Sequence, residues 1–521
     1  MAHSKPAHFV VVPLAAWGHV RPLLHLVLNL VSIHPTLRVT LLCTPSISIK
    51  IKSELNSAVL EHLHAPASSG VAAVTDRVQI IDVKSPDLQA IGFSGETMLQ
   101  EAMDYAKLFQ SFVPDVIPAM LAANNLPNIP LIGFCASSAA ATLQYIALAS
   151  RGQDRADEIR SHFAKEENGG FIALAQRLAE QDIANGEDRM TAYAKHTFAC
   201  TGEVVRIPGL PPMYDYEYVP MGGAIPFPAP LLIQVGGMRL AAVHPATVAV
   251  LCTMPAELEP DAKKLFEEDL RKPLLMAGIQ FPAPMWDGMK PPRAMSTEDN
   301  IRVTEFLDSM EKKHGAGSVL YISFGSQFYP SLRPELVNYL IVTLLENDVP
   351  FLFAHASSVA VIPDELAKAI EAAPNGCKVR FAPQWAVLEH PAVGFFLSHC
   401  GCNSVAEAIM SVQPLIAVPF AADQGEFAMM LSLRGVAITL DQVKTFKTNS
   451  SDKTTKKTYA GVEIIGTEEA IKAEFTAVLK RIRGEEGDVM RKKMGDLKAL
   501  HEQSYREGES RKTMEGMARY F

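Results

Sequence analysis

Residues 381–424 read FAPQWAVLEHPAVGFFLSHCGCNSVAEAIMSVQPLIAVPFAADQ and gather side chains suited to a charged, polyhydroxylated ligand. Phe381 offers a flat apolar face that can stack on a ring. Gln384, Glu407, Asp423 and Gln424 supply amides and carboxylates, and a carboxylate can accept two O–H donors. His399, Asn403 and Ser404 stand where an apolar run of strand length (393–398) turns through His399-Cys400-Gly401 into a helix. The start of a helix presents backbone N–H groups and a positive dipole end, both favourable to an anion. A second candidate lies near the start, in PLAAWGHVRP (13–22), where Gly18-His19 follows an apolar run. An imidazole titrates near neutrality and suits a base that removes a hydroxyl proton. His25, further along the same helical pattern, reads as a packed helix residue.

These residues need a frame. Residues 393–398 and 415–420 read as buried strands, joined by a helix whose apolar face includes Val405, Ala408 and Ile409. Asp423 and Gln424 fall just beyond the second strand, and ligands of parallel α/β sheets bind at the carboxyl ends of strands. Upstream, 8–14, 38–43, 78–83 and 248–253 read as strands, with a helix over 20–33 carrying Pro22 in its first turn and another starting at Pro260. A second set runs from strand 319–324 and the turn Gly325-Ser326 through helix 333–346 to strands 351–354 and 378–381. Alternation of this kind predicts α/β, doubly wound sheets. Between the sets lie a polar helical stretch (151–199), RIPGLPPMYDYEYVP (206–220), an apolar Gly/Pro-rich run to 237, and a linker over 280–300 with Pro282, Pro284, Pro291 and Pro292. The final helices are read at 468–483 and 489–505, and the polar, basic 444–457 as a solvated loop.

The chain has 521 residues, too many for one ordinary core, so two domains are expected. A net charge of −9 argues against nucleic acid, which requires a basic face. Seven cysteines, without framework spacing, predict reduced thiols. The first residues lack the pattern of a secretory signal. Residues 116–150 carry no Asp, Glu, Lys or Arg, but prolines and asparagines interrupt them, so a buried strand–loop–helix is expected rather than a membrane span. The expectation is a soluble, cytoplasmic, monomeric protein.

The pieces A-P-Q (382–384), V-L-x-H (387–390), F-L-S-H-C-G-x-N-S (396–404), Glu407 and P-x-x-x-D-Q (419–424) resemble, without a gap, the nucleotide-sugar signature of the family 1 UDP-glycosyltransferases, and G-H-x-x-P (18–22) is similar to that family's N-terminal motif. The resemblance implies a GT-B fold: two facing Rossmann-like, doubly wound parallel-sheet domains with the site in the interdomain cleft. The domains would be 1–285 for the acceptor and 286–500 for the UDP-sugar, with 501–521 crossing back to the first. It implies that Phe381, where a Trp is usual, stacks on uracil while Ala382 backbone groups and Gln384 meet its edge. Glu407 would hold the ribose, and Ser326, His399, Gly401, Asn403 and Ser404 the diphosphate. Asp423 and Gln424 would hold the sugar, Gln424 going with glucose donors. Cys402 replaces another frequent Trp. His19 would be the general base. The family orients that His with an Asp, but Met120 stands at its place here, leaving Asp115 or Asp104 as substitutes.

The expected function is an inverting transfer of glucose from UDP-glucose to a hydroxyl of a small lipophilic acceptor, phenolic, terpenoid or sterol-like. No cofactor or metal is expected, since the chain has neither a D-x-D pair nor a G-x-x-x-x-G-K-[ST] loop. Three alternatives stand beside it: a UDP-sugar-binding pseudoenzyme, a sugar-nucleotide epimerase of the same fold, and a transferase using UDP-N-acetylglucosamine or UDP-glucuronate.

Overall fold

The computed structural model describes residues 7–13, 17–64, 72–82, 130–142, 181–186, 204–221, 247–290, 297–326, 328–357, 359–445 and 457–520. Asp104, Asp115 and Met120 lie outside them, as does most of 116–150, 151–199, 222–237 and 444–457. The chain divides into two units: Met1–Arg151 with Pro228–Pro291 and His501–Phe521, and Gly152–Phe227 with Pro292–Leu500.

In the first unit, β1 (Ala7–Val11), β2 (Leu37–Cys43) and β3 (Val78–Asp82) form one parallel sheet in that order. A second parallel sheet holds β4 (Leu131–Cys135), β5 (Thr247–Cys252) and β6 (Leu274–Met276). Helix α1 (Trp17–Ile33) contributes Leu24, Val27, Leu28 and Val31 to a single core that also takes Val39 and Leu41 of β2, Leu251 of β5 and Leu275 of β6. Because α1 begins at Trp17, Pro22 falls inside the helix, where it supplies no N–H to the turn before it. Helix α2 (Pro45–Leu55) starts on a proline, whose fixed φ suits a first helical position.

Two acidic residues near 257–260 prove to be fasteners. Glu259 accepts the N–H groups of Ala139 (2.9 Å) and Ala140 (3.0 Å), capping the helical turn Ala139–Thr142. Glu257 accepts from Ser504 Oγ and the Glu509 N–H, both at 2.9 Å, and so holds the C-terminal residues. Tyr505 stacks on Trp286 at 4.7 Å and donates to Asn29 Oδ1 (3.3 Å), while Met514 and Met517 enter the core.

In the second unit, β7 (Val319–Ser323), β8 (Phe351–Ala354), β9 (Gly376–Val379), β10 (Val393–Ser398), β11 (Leu415–Ala417) and β12 (Ala437–Thr439) form one parallel sheet ordered β9-β8-β7-β10-β11-β12. By position in the unit this is 3-2-1-4-5-6, with the order reversing between β7 and β10, and ligands of such sheets bind at that switch point. Every residue of β7, β8 and β10 is buried, as expected of a sheet covered on both faces. The strand expected at 378–381 lies at Gly376–Val379, which leaves Phe381 beyond its end.

Residues 204–221 pack in this second unit, so its boundary differs from a single break at 285/286. Val204–Val205 and Met213–Tyr214 pair as an antiparallel hairpin, followed by the helical turn Asp215–Tyr218. Hydrogen bonds account for the placement: Met221 N–H donates to the Phe420 carbonyl (3.1 Å), and Thr445 N–H to that of Pro220 (2.7 Å).

The first unit also holds a charge cluster beside α1. Glu54 accepts from Arg21 Nε and from His25 Nε2, each at 3.1 Å, and Nδ1 of buried His25 lies 3.2 Å from the Gln280 carbonyl. Burial alone would raise the Glu54 carboxyl, but the His25 hydrogen bond and the Arg21 charge outweigh it and bring it to about 2. A depressed carboxylate stabilises the fold above its unfolded-state value and loses that contribution as pH falls toward the folded value. Glu54→Gln should cost about 2 kcal/mol at pH 7. The cost should shrink between pH 4.5 and 2, as read from denaturation midpoints of variant and wild type.

Candidate functional site

The carboxyl ends of β7, β10 and β11 converge through aromatic rings. Phe324, just past β7, meets Phe420, beyond β11, at 5.2 Å, and Phe420 meets the His399 ring, just past β10, at 6.5 Å. His399 is buried between two backbone turns. A Cβ on Gly325 would come within 2.9 Å of its Nε2, and one on Gly401 within 2.6 Å. Gly325 also sits at φ +72°, a conformation that glycine adopts without strain. Burial pushes the His399 imidazole down to about 4 against a weaker effect of the Ser323 backbone, so the ring is neutral at pH 7. A neutral ring can still donate one hydrogen bond.

The turn after β10 is locked by its own strand. Cys400 sits at φ 63° and donates its N–H to Ser398 Oγ at 3.1 Å. Its thiol is raised well above the usual range by burial and then by the charge of Asp423, which makes it chemically quiet. Helix α3 (Cys402–Met410) follows, with Gly401, which has no side chain to cap with, as its cap residue. Val405, Ala408 and Ile409 are buried, which aims the first turn toward the strand ends. This is the arrangement that suits a diphosphate.

Behind that turn, Gln384 Nε2 donates to Glu407 Oε2 at 2.6 Å and to Ser404 Oγ at 3.2 Å, and Tyr321 of β7 donates to Gln384 Oε1 at 3.4 Å. Gln384, Ser404 and Glu407 therefore form one connected set, with Glu407 buried and pre-oriented. Ala382 is buried beside it. Phe381 is 63% exposed, an open face of the kind a base could stack on. Ser326 is exposed in the turn after β7, and Asn403 is half-buried in the first turn of α3.

Gln424 turns the oxygen of its amide inward to its own loop. Its Oε1 accepts the N–H groups of Phe420 (2.8 Å) and Ala421 (3.2 Å), and the side chain is buried. Two backbone donors on one oxygen fix the amide orientation and leave the NH2 end as the part that could meet a ligand. Asp423, half-buried, precedes helix α4 (Gln424–Leu433) at its cap position.

His19 belongs to the first unit, half-buried in the first turn of α1. Desolvation lowers its pKa below the usual imidazole value, the form that can accept a proton at pH 7. Sequence reasoning missed Gly325 and Tyr321 as shapers of the site. Gly325 was visible only as a turn residue, and Tyr321 only as part of an apolar strand.

One other cluster needs a reading. Asp308, Glu311 and His390 bring possible ligand atoms within 4.8 Å of one another. His390 Nδ1 accepts the Ala392 N–H (3.1 Å), so its proton is on Nε2, which donates to Asp308 at 3.0 Å. A protonated Nε2 is no metal ligand, so the histidine of V-L-x-H is a staple for the turn into β10.

The family description "UDP-glucoronosyl and UDP-glucosyl transferase" matches residues 276–456, which include this whole cluster. A UDP-glycosyltransferase of Hericium erinaceus, eriJ, is 26% identical over 435 residues, spanning 82% of this chain and 81% of that one. Limonoid UDP-glucosyltransferase of Citrus unshiu is 34% identical over 155 residues, 28% of this chain and 29% of that one. Among solved structures, Medicago truncatula UGT71G1 complexed with UDP-glucose aligns over 99% of this chain and 98% of its own, at a TM-score of 0.60 and 17% identity, a likeness of fold. Residues 276–456 thus carry a domain of the UDP-glucoronosyl and UDP-glucosyl transferase type, on a chain with the GT-B fold. It is accordingly an enzyme of the hexosyltransferase class.

Gly401 sits at φ −65°, a backbone any residue can adopt, so an alanine there would be opposed first by the His399 ring. Gly401→Ala should weaken UDP binding about tenfold or more, a loss on the order of 1.4 kcal/mol, measured by calorimetric titration. Unchanged affinity would show that the turn tolerates a displaced imidazole.

Proposed function

We propose that this enzyme transfers glucose from UDP-glucose to a hydroxyl group of a small lipophilic acceptor, with inversion at the anomeric carbon. The observation that carries the reading is the gathering of the turn after β10, the start of α3 and the Gln384–Ser404–Glu407 set at the switch point of the sheet. Relatives named for glucosylation of limonoids and of gallate support a small hydroxylated acceptor. In this reading Phe381 carries the uracil, with Ala382 and Gln384 at its edge, and Glu407 binds the ribose. The first N–H groups of α3, with Ser326, His399, Gly401, Asn403 and Ser404, bind the diphosphate. Asp423 and the NH2 of Gln424 meet the sugar. No metal is called for, since the fixed donors themselves stabilise the leaving UDP.

His19 is the base of the proposal. It takes the acceptor proton as the oxygen attacks the anomeric carbon, the bond from that carbon to the diphosphate oxygen breaks, and UDP leaves with the electron pair. An acidic hydroxyl such as a phenol needs the least help from such a base to ionise.

The test is UDP release from UDP-glucose with a panel of phenols, terpenols and sterols. Wild type should show acceptor-dependent release, and His19→Ala should lower kcat/KM by about 10²-fold or more. Because desolvation lowers the His19 pKa, kcat/KM should be flat through neutrality and fall with acid, with a midpoint below the ordinary imidazole value of about 6.5. UDP binding without release on any acceptor would make the protein a nucleotide-sugar-binding pseudoenzyme instead. Release from UDP-N-acetylglucosamine or UDP-glucuronate in preference would correct the donor.

A further inference from the structure

The loop that carries Asp423 rests on a segment about two hundred residues upstream. Loop 418–423 is tied on one side by Gln424, whose Oε1 takes the N–H groups of Phe420 and Ala421. It is tied on the other by Met221, whose N–H donates to the Phe420 carbonyl at 3.1 Å. Between these ties Ala422 is held at φ 58°, a conformation that L side chains seldom take unless their surroundings impose it. Just past Asp423 and Gln424, Gly425 lies flat on the same upstream segment. A Cβ there would come within 2.9 Å of both Tyr218 Cα and the Tyr218 carbonyl, and within 3.1 Å of the Glu217 carbonyl.

That backing is itself clamped. Glu217 Oε1 accepts the N–H groups of Tyr214 (3.0 Å) and Tyr459 (2.7 Å), Tyr216 donates its hydroxyl to the Lys457 carbonyl (2.7 Å), and the Pro220 carbonyl accepts from Thr445 N–H (2.7 Å). The backbone against Gly425 is thus held from three directions and cannot yield cheaply to a methyl group. Asp423 lies two residues from Gly425 and one from Ala422, between these two fixed points of the backbone. We propose that residues 217–221 are the template for the sugar-holding loop, and that Gly425 and Met221 are positioning residues for the donor's sugar, acting through Asp423 and Gln424. The inference rests on the donor reading above. It adds that selectivity for the sugar, as distinct from the nucleotide, is set partly outside residues 381–424.

The test separates sugar from nucleotide. In wild type and Gly425→Ala, UDP and UDP-glucose affinities are measured by calorimetric titration and KM for UDP-glucose by UDP release. The expected result is a rise of about tenfold or more in Kd and KM for UDP-glucose with UDP affinity kept within about twofold. Equal affinities in variant and wild type, or parallel losses for UDP and UDP-glucose, would overturn the template. A wild type that binds no UDP-glucose would instead overturn the donor reading. Should Gly425→Ala fail to fold, hydrogen exchange of wild type decides: UDP-glucose, beyond UDP alone, should slow exchange in 217–221 together with 420–426. Equal protection by the two ligands would refute the proposal.

Discussion

A neutral imidazole with no room for a methyl group on either side is the constraint on which the strand-end site of the second unit depends. His399 fills the space that Gly325 and Gly401 leave open, so the turns after β7 and β10 are fixed by the same ring. Phe420 then adds the turn after β11 through its contacts with His399 and Phe324. Because burial keeps the ring uncharged, it can sit among apolar neighbours without a counter-ion, which a cation could do only at a cost of several kcal/mol. The start of α3, which follows the same turn, presents its positive dipole end beside this ring as part of the fold itself.

Several of the chain's carboxylates work as fasteners. Glu54 joins α2 to α1, Glu257 holds the C-terminal residues, Glu259 caps a helical turn, and Glu217 ties two distant segments to one oxygen. In each case the acceptor serves two donors, frequently backbone N–H groups that would otherwise be buried unpaired. The common logic is satisfaction of polar groups at junctions between elements, where no sheet or helix ladder reaches.

The sequence made the second unit legible because its strands are buried on both faces and so read as unbroken apolar runs. Phe351–Ala354 and Val393–Ser398 appear at their expected bounds, whereas 378–381 was displaced by two residues because Phe381 looks like a strand residue and serves as an exposed face. The candidate donor residues were visible because they fall within one contiguous stretch. What the sequence hid depends on distance along the chain. No local pattern shows that Glu217 reaches Tyr459, that Met221 bonds Phe420, or that Gln424 turns its oxygen inward to its own loop. The role of Gly325 was hidden for a related reason: a glycine read as a turn former gives no sign of the ring that would collide with its side chain.

The two units are discontinuous in sequence, and this bears on how the protein is made. Met514 and Met517 complete a core begun by Val20 and Leu24, and His34 reaches the Met514 carbonyl across 480 residues. The segment 204–221 in turn waits for Phe420 and Tyr459. A ribosome delivers such a chain from one end, so the first sheet must persist with part of its apolar surface open until the last helices emerge. Domains of this kind close late in synthesis, and the interval of exposed surface, more than the strength of the finished core, governs their need for chaperones.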